Sequence, residues 1–335
     1  MKLFKALLIA IIALYPVTGI ASTFYSILDP VCIENPAAHV IMDGQTQPFN
    51  TPYIAVRYQL PSVGYELAHD VSRYTNAPRS STVRQFGYYD GPDEPAVQVD
   101  CYDIGVMMNS WSANNLRGWH GDYNTVYSYG FTPMPESPFN ATGTSSLVVQ
   151  AHFAVPTYMA YPNKGVDPIG GLGFAIFLYD TKSQMGFGLD GQVFDNRTFT
   201  QMYGSSGHFC GMANIPYCAS ALNRDEWYTT PDINSATWTS QIWSEKRFYR
   251  MTVSPANMIN MAKELNLLLD KTGESRRYSL TPTDYRLSEV TVLAETEDCP
   301  NIHSDCGSRV SMGWSLSSLG VFRKVDTPPP PVCTP

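Results

Sequence analysis

The sequence predicts a mainly β chain of antiparallel strands, with one helix and long, decorated loops. Three observations predict it. Leu147, Val149, Ala151, Phe153 and Val155 alternate with Val148, Gln150, His152 and Ala154, so one face is wholly apolar and the other mixed. This is how a strand reads with one face in a core and the other towards solvent or a cleft. Phe174 to Leu178 is a continuous apolar run, aromatic and branched, which suits a buried strand better than a short helix. Only one segment repeats at helical spacing, through Met258, Ile259, Met261, Ala262, Leu265 and Leu269.

Residues 1–21 read as a secretory signal peptide. Lys2 and Lys5 precede an apolar stretch from Ala6 to Tyr15, and Gly19 and Ala21 stand at the −3 and −1 positions of a cut after Ala21. The stretch is too short for a stable membrane span and no second candidate follows. The expectation is a secreted protein, extracellular or periplasmic, with no integral membrane segment after cleavage. Losing two lysines takes the formal charge from −8 to −10. An acidic, exported chain without a basic patch is not expected to bind nucleic acid or anionic membrane surfaces. About 314 residues remain, enough for one large β domain or one with a long N-terminal extension.

Along the chain, Tyr53–Leu60 and Val83–Tyr89 read as strands. Asp90–Pro95 (DGPDEP) is an acidic turn; it offers calcium-type oxygen ligands without the EF-hand pattern, and a solvated turn is the plainer reading. Asn109–Tyr129 concentrates Trp111, Trp119, His120, Asp122 and Tyr123 among amides. Such rings stack on pyranose C–H faces while amides and carboxylates take the hydroxyls; alternatively the tryptophans cap the core under a loop. Pro156 and Pro162 are expected to stop the strand that begins near Leu147. Asp180–Gln184 supplies a turn into a strand where Gly186 and Gly188 mark a bulge, a close approach, or relief of crowding. Thr198–Pro231 reads as a long loop pinched by a disulfide, with a second aromatic group at Trp227 and Tyr228. Phe248–Val253 is a strand; Ser254 caps a helix with Pro255 in its first turn and Gly273 at its stop. Arg286–Glu297 alternates cleanly, and Val310–Arg323 gives one or two closing strands.

All seven cysteines lie after the expected cut, where disulfides are the default. Cys210 with Cys218 and Cys299 with Cys306 are natural local pairs, and Cys32 with Cys101 would tie down the N-terminal segment; spacing alone does not fix the connectivity. Cys333 is left over in a Pro-rich tail and offers a disulfide-linked dimer. Cys299, His303 and Cys306, or His208 with Cys210, have zinc-like spacing, but an oxidising compartment favours bridges. No cofactor is implied; calcium is the metal left open.

In order, the chain gives an aromatic stretch, SLVVQAHFAVP, GFAIFLYD, GFGLDGQVFD, a late RLSEVTVLAE and a terminal SLGVFRK. This order resembles the jelly-roll sandwich of concanavalin A-like lectins and glucanases, over roughly residues 100–324. The resemblance implies a β-sandwich at 100–324, an N-terminal segment at 22–99 packed on it, and a tail at 325–335. It also implies glycan binding or cleavage on the concave face of one sheet. The Glu-x-Asp-x-x-Glu motif of those glucanases is absent, so no catalytic residue is carried over.

Glycosidase chemistry needs two carboxyls about 5 to 9 Å apart. Glu295 and Glu297 meet that spacing along one strand, at about 6.7 Å, although a solvated acidic strand end is the better reading. Polyuronate lyases of the same sandwich type use His, Gln, Arg and Tyr; Gln150, His152, Asp190 and Gln192 would form such a cluster if their strands neighbour. The catalytic candidates are therefore Glu295, Glu297 and His152. The ligand-binding candidates are Trp111, Trp119, His120, Asp122, Tyr123, Gln150, Asp190 and Gln192. There is no Gly-x-Ser-x-Gly elbow for a serine hydrolase. Two functions are expected: a secreted protein that binds or processes poly- or oligosaccharides, or a non-catalytic envelope or extracellular interaction protein.

Overall fold

The computed structural model describes residues 136–297, except 213, 214 and 226, and 307–327; before them it describes the strands named below. For the strands between residues 39 and 130, and at Glu295 and Glu297, the description is of the backbone. In chain order the strands are β1 (Ala21–Leu28), β2 (His39–Met42), β3 (Gln45–Pro48), β4 (Tyr53–Leu60), β5 (Gly64–Asp70), β6 (Arg84–Gly87), β7 (Ala96–Asp100), β8 (Asp103–Asn109) and β9 (Asp122–Gly130). Then come β10 (Ser145–Tyr161), β11 (Ile169–Asp180), β12 (Met185–Asp195), β13 (His208–Met212), β14 (Pro216–Ala221), β15 (Trp243–Val253), β16 (Tyr285–Glu297) and β17 (Arg309–Thr327). A one-turn helix α1 (Phe199–Tyr203) and the long α2 (Pro255–Thr272) complete the regular elements used below.

Two sheets result, as the alternation predicts. In the first, β17 is the spine: β10 runs along one edge of it, and β8 and then β1 along the other, with β15 outside β10. The second runs β13-β14-β12-β11-β16-β9-β4-β5, with β12 and β14 parallel and the other pairs antiparallel. The inner faces meet as a sandwich. Leu147, Val149, Ala151 and Phe153 of β10 are buried with Leu172, Phe174 and Ile176 of β11 and Phe187 and Leu189 of β12. The rings of Phe153 and Phe174 cross between the sheets edge to face at 5.0 Å.

The helix α2 forms where the spacing predicts. Ser254 Oγ accepts from Asn257 N at 3.1 Å and Asn257 Oδ1 accepts from Ser254 N at 2.8 Å, a reciprocal cap. Gly273 ends it in the left-handed region, at φ 77°. Met258, Met261, Ala262, Leu265 and Leu269 join the main core. Among the described residues no helix is long and apolar enough to cross a membrane.

Three expectations need correction. β10 does not stop at Pro156 but runs to Tyr161. Its pairing with β15 ends at Val155, and its register on β17 shifts between Ala154 and Thr157. The proline therefore falls at a bulge with one edge unpartnered, where a missing N–H costs little. Thr198–Pro231 is not one loop: α1, β13 and β14 lie in it, and the Cys210–Cys218 disulfide links β13 to β14 at a directly paired position. Asp122 and Tyr123 are not in a loop but open strand β9. Of the readings open at Gly186 and Gly188, there is no bulge, and relief of crowding holds at Gly188: a Cβ there would meet the Phe177 ring at 3.2 Å.

The β11–β12 turn is anchored by Asp180, which is fully buried. Its carboxylate accepts from Lys182 N (2.9 Å), Ser183 Oγ (2.7 Å) and Ser279 N (2.8 Å). Beside it, Tyr285 OH donates to Ser279 O at 2.5 Å and Tyr278 OH to Gly186 O at 2.8 Å.

Candidate functional site

Gly171 and Gly173 leave β11 bare at two positions on the outer face of the second sheet. A Cβ at Gly173 would come within 2.8 Å of Gly191 O, so no side chain fits there. A Cβ at Gly171 would find Asp195 Oδ2 at 3.5 Å and Gln192 Oε1 at 3.8 Å, which places both groups beside the bare strand. A register shift on β12 explains why both reach one face: Gly173 pairs with Gln192 but Leu172 with Phe194, and Val193 is skipped. Without that extra residue, two positions three apart would face opposite ways.

Asp195 is 1% exposed. Its Oδ1 accepts from Arg197 Nε (2.8 Å) and Arg197 N (2.9 Å), and its Oδ2 from Arg197 Nη2 (2.6 Å). On the other side of the bare strand, Gly171 pairs with Glu295. Glu295 alternates with buried Ala294 and Thr296, so it holds an outer-face position. Asp195 and Glu295 thus flank one glycine, with Cα atoms two strand spacings apart, about 9.6 Å. The same row continues through Asn124 to Arg57, and the next, Glu297, pairs with Asp122, which pairs with Gln59.

Beneath α1, Tyr203 packs in a small hydrophobic cluster with Ala219, Ala221 and Trp238, which also encloses a few polar atoms. Tyr203 is 3% exposed, and burial, then the Asp195 and Asp190 carboxylates, push its phenol well above the ordinary range. Among the described residues, Tyr203 OH, Gln192 Oε1 and Trp238 Nε1 have no hydrogen-bond partner. The Tyr203 and Trp238 rings meet edge on at 6.3 Å.

Of the residues singled out from sequence, Asp122, Asp190, Gln192, Glu295 and Glu297 share this outer face. Tyr123 pairs with Thr296 and takes an inner-face position. Gln150 and His152 do not join them. Their strand belongs to the first sheet, on its outer face, so both sheets, packed about 10 Å apart, intervene. The condition for a His/Gln/Asp cluster, neighbouring strands, is not met. Gln150 instead accepts from Arg250 Nε at 3.0 Å, and Arg250 also reaches Asp232 at 2.6 Å. His152 lies 5.3 Å from the Phe248 ring. Trp111, Trp119 and His120 lie outside the described residues, as do Cys32, Cys101, Cys299, Cys306, Cys333 and the Asp90–Pro95 turn.

Sequence reading missed Asp195, Arg197 and Tyr203. The available signal was Gly170, Gly171 and Gly173 entering an apolar strand, a mark of close approach. Among the described residues no group of three or more His, Cys, Asp or Glu is placed to hold a metal. Cys210 is committed to its disulfide, so it offers no thiolate beside His208.

No family model matches the chain, and no curated protein does. Among solved structures, it is similar to the family 11 xylanase from Neocallimastix patriciarum, with TM-score 0.32, 10% identity, and 72% of this chain and 90% of that chain covered. It is also similar to a loop-swap mutant of Necallimastix patriciarum Xyn11A, with TM-score 0.31, 10% identity, and 72% and 89% covered. A superposition this loose carries no inference about activity.

Proposed function

We propose that the protein is a secreted glycan-binding protein that holds a polysaccharide on the outer face of its second sheet and cleaves it there. The observation that supports this is the pair Asp195 and Glu295, flanking Gly171 in register. Their backbones stand two strand spacings apart, about 9.6 Å, on one face of the sheet, and glycoside cleavage uses a pair of carboxyls on neighbouring elements. Glu295 is the candidate general acid or base; Asp195, ion-paired to Arg197, is the partner carboxylate. Gln192 and Tyr203 supply polar atoms that a sugar hydroxyl would satisfy.

The test is incubation with a panel of neutral and acidic polysaccharides, read as new reducing ends for hydrolysis and as absorbance of an unsaturated product for lyase action. Activity that Glu295→Gln lowers at least a hundredfold, with unchanged thermal unfolding, supports the reading. Activity untouched by that change moves the chemistry elsewhere. The burial of Asp195 favours a second reading, binding without turnover; retention in affinity electrophoresis without any product would select it. Export is tested by N-terminal sequencing of secreted protein, expected to begin at Ser22, whose Oγ donates to Asp326 at 2.6 Å.

A further inference from the structure

A second polar and aromatic cluster lies at the edge of the second sheet, on strand β13. His208 Nδ1 is 2.7 Å from Asp225 Oδ2. Asp225 is 6% exposed, and its other oxygen accepts from Trp227 N at 2.8 Å. The imidazole is held from three sides. Trp227 lies nearly parallel to it (13°, centroids 6.1 Å), Tyr228 meets it edge on at 4.4 Å, and the carboxylate stands at Nδ1. Tyr228 is itself fixed, with its hydroxyl 3.3 Å from Cys210 Sγ of the disulfide. From α2, the Asn257 side chain donates to Trp227 O at 3.2 Å.

Such an arrangement restricts an imidazole's orientation. Nδ1 stands against the carboxylate without hydrogen-bond geometry, which leaves Nε2 as the ring nitrogen open to a ligand. Nδ1 is buried while the His208 side chain keeps 19% of its exposure, so the accessible part of the ring lies away from Asp225. Ser220 pairs directly with His208 across β13 and β14, but it is fully buried and cannot serve as a nucleophile. What the imidazole can act on is a group brought by a ligand. Trp227, 44% exposed, supplies an aromatic surface beside it.

We propose that Trp227, His208 and Asp225 form a pyranose-binding subsite: the indole stacks on the C–H face of a sugar ring, and His208 Nε2 hydrogen-bonds one of its hydroxyls. It rests on the glycan reading but uses residues apart from the Asp195 and Glu295 face, so it adds a second point of attachment. The test is a titration of the whole secreted protein with xylo-, cello-, manno- and chito-hexaoses, followed by tryptophan fluorescence and calorimetry. Trp227→Ala and Trp227→Phe are compared with wild type, with circular dichroism as the check on folding. Binding that falls at least tenfold in Trp227→Ala and is largely restored in Trp227→Phe supports the subsite. Binding within twofold of wild type in Trp227→Ala overturns the subsite and leaves the glycan reading standing. If wild type binds none of the four and none of the acidic polysaccharides of the panel above, the subsite and the glycan reading both fall.

Discussion

At the turn end of the β11–β12 hairpin, buried Asp180 has three donors, and the Tyr278 and Tyr285 hydroxyls each have a carbonyl. At the far end of the same hairpin, Gln192 Oε1 and Tyr203 OH are equally buried and have no partner among the described residues. The strands are the same; only the matching of polar groups differs. A buried polar atom left unmatched costs about 1–3 kcal/mol, so a fold retains it most readily where a ligand can complete it. On the function proposed above, the turn end stabilises and the far end recognises.

The largest expected effect comes from alkaline pH, and it acts at both ends, since the Tyr203 phenol is raised as well. Burial, then Asp180, raises the Tyr278 and Tyr285 phenols above their ordinary value, and burial pushes Tyr249 up to about 12. A raised folded value means the native state binds more protons than the unfolded one. Stability is therefore complete below about pH 10 and falls as pH rises, by up to about 1.4 kcal/mol per unit for each such group. Phenolate absorbance at 295 nm is expected to rise together with unfolding; ionisation of these rings in an intact fold would contradict it. Next in size, Asp180→Ala should cost about 3 kcal/mol in urea unfolding, because it strands the Ser279 N–H. Replacing Cys210 and Cys218 together by alanine should cost about 2–3 kcal/mol, as expected for a short closed loop, and reducing agent should have the same effect on wild type. The smallest effect is expected at the far end: Gln192→Met should change stability by less than about 1 kcal/mol, because it removes a buried oxygen that has no partner among the described residues. A loss there as large as at Asp180 would erase the distinction.

Local chemistry made much of this legible. The alternation from Leu147 to Val155 gave a strand with the predicted inner face, Ser254 and Gly273 bracketed the helix, and Cys210 found Cys218. Pairing was not legible, because it is decided between residues far apart. Nothing near Gln150 or Gln192 says that their strands lie in different sheets. The bulge at Val193, which brings Asp195 round to the face of Gln192, leaves no mark in an alternation count. The one-turn helix α1 did leave one: Thr198 and Gln201 have the spacing of a capping box, which the structure contains.

The spine strand has a consequence for how the chain is made. β17 is the last described strand to leave the ribosome, yet β1, β8 and β10 all depend on it for their place in the first sheet. Ser22 and Asp326, hydrogen-bonded across it, are 304 positions apart. Translation must pass Thr327 before β1 meets the strand beside which it will lie. Every strand of the second sheet precedes β17 in the chain, whereas the first sheet lacks its spine until β17 is made. Closing the sandwich is thus a post-translational event, and a slow one, as pairings of such long range require.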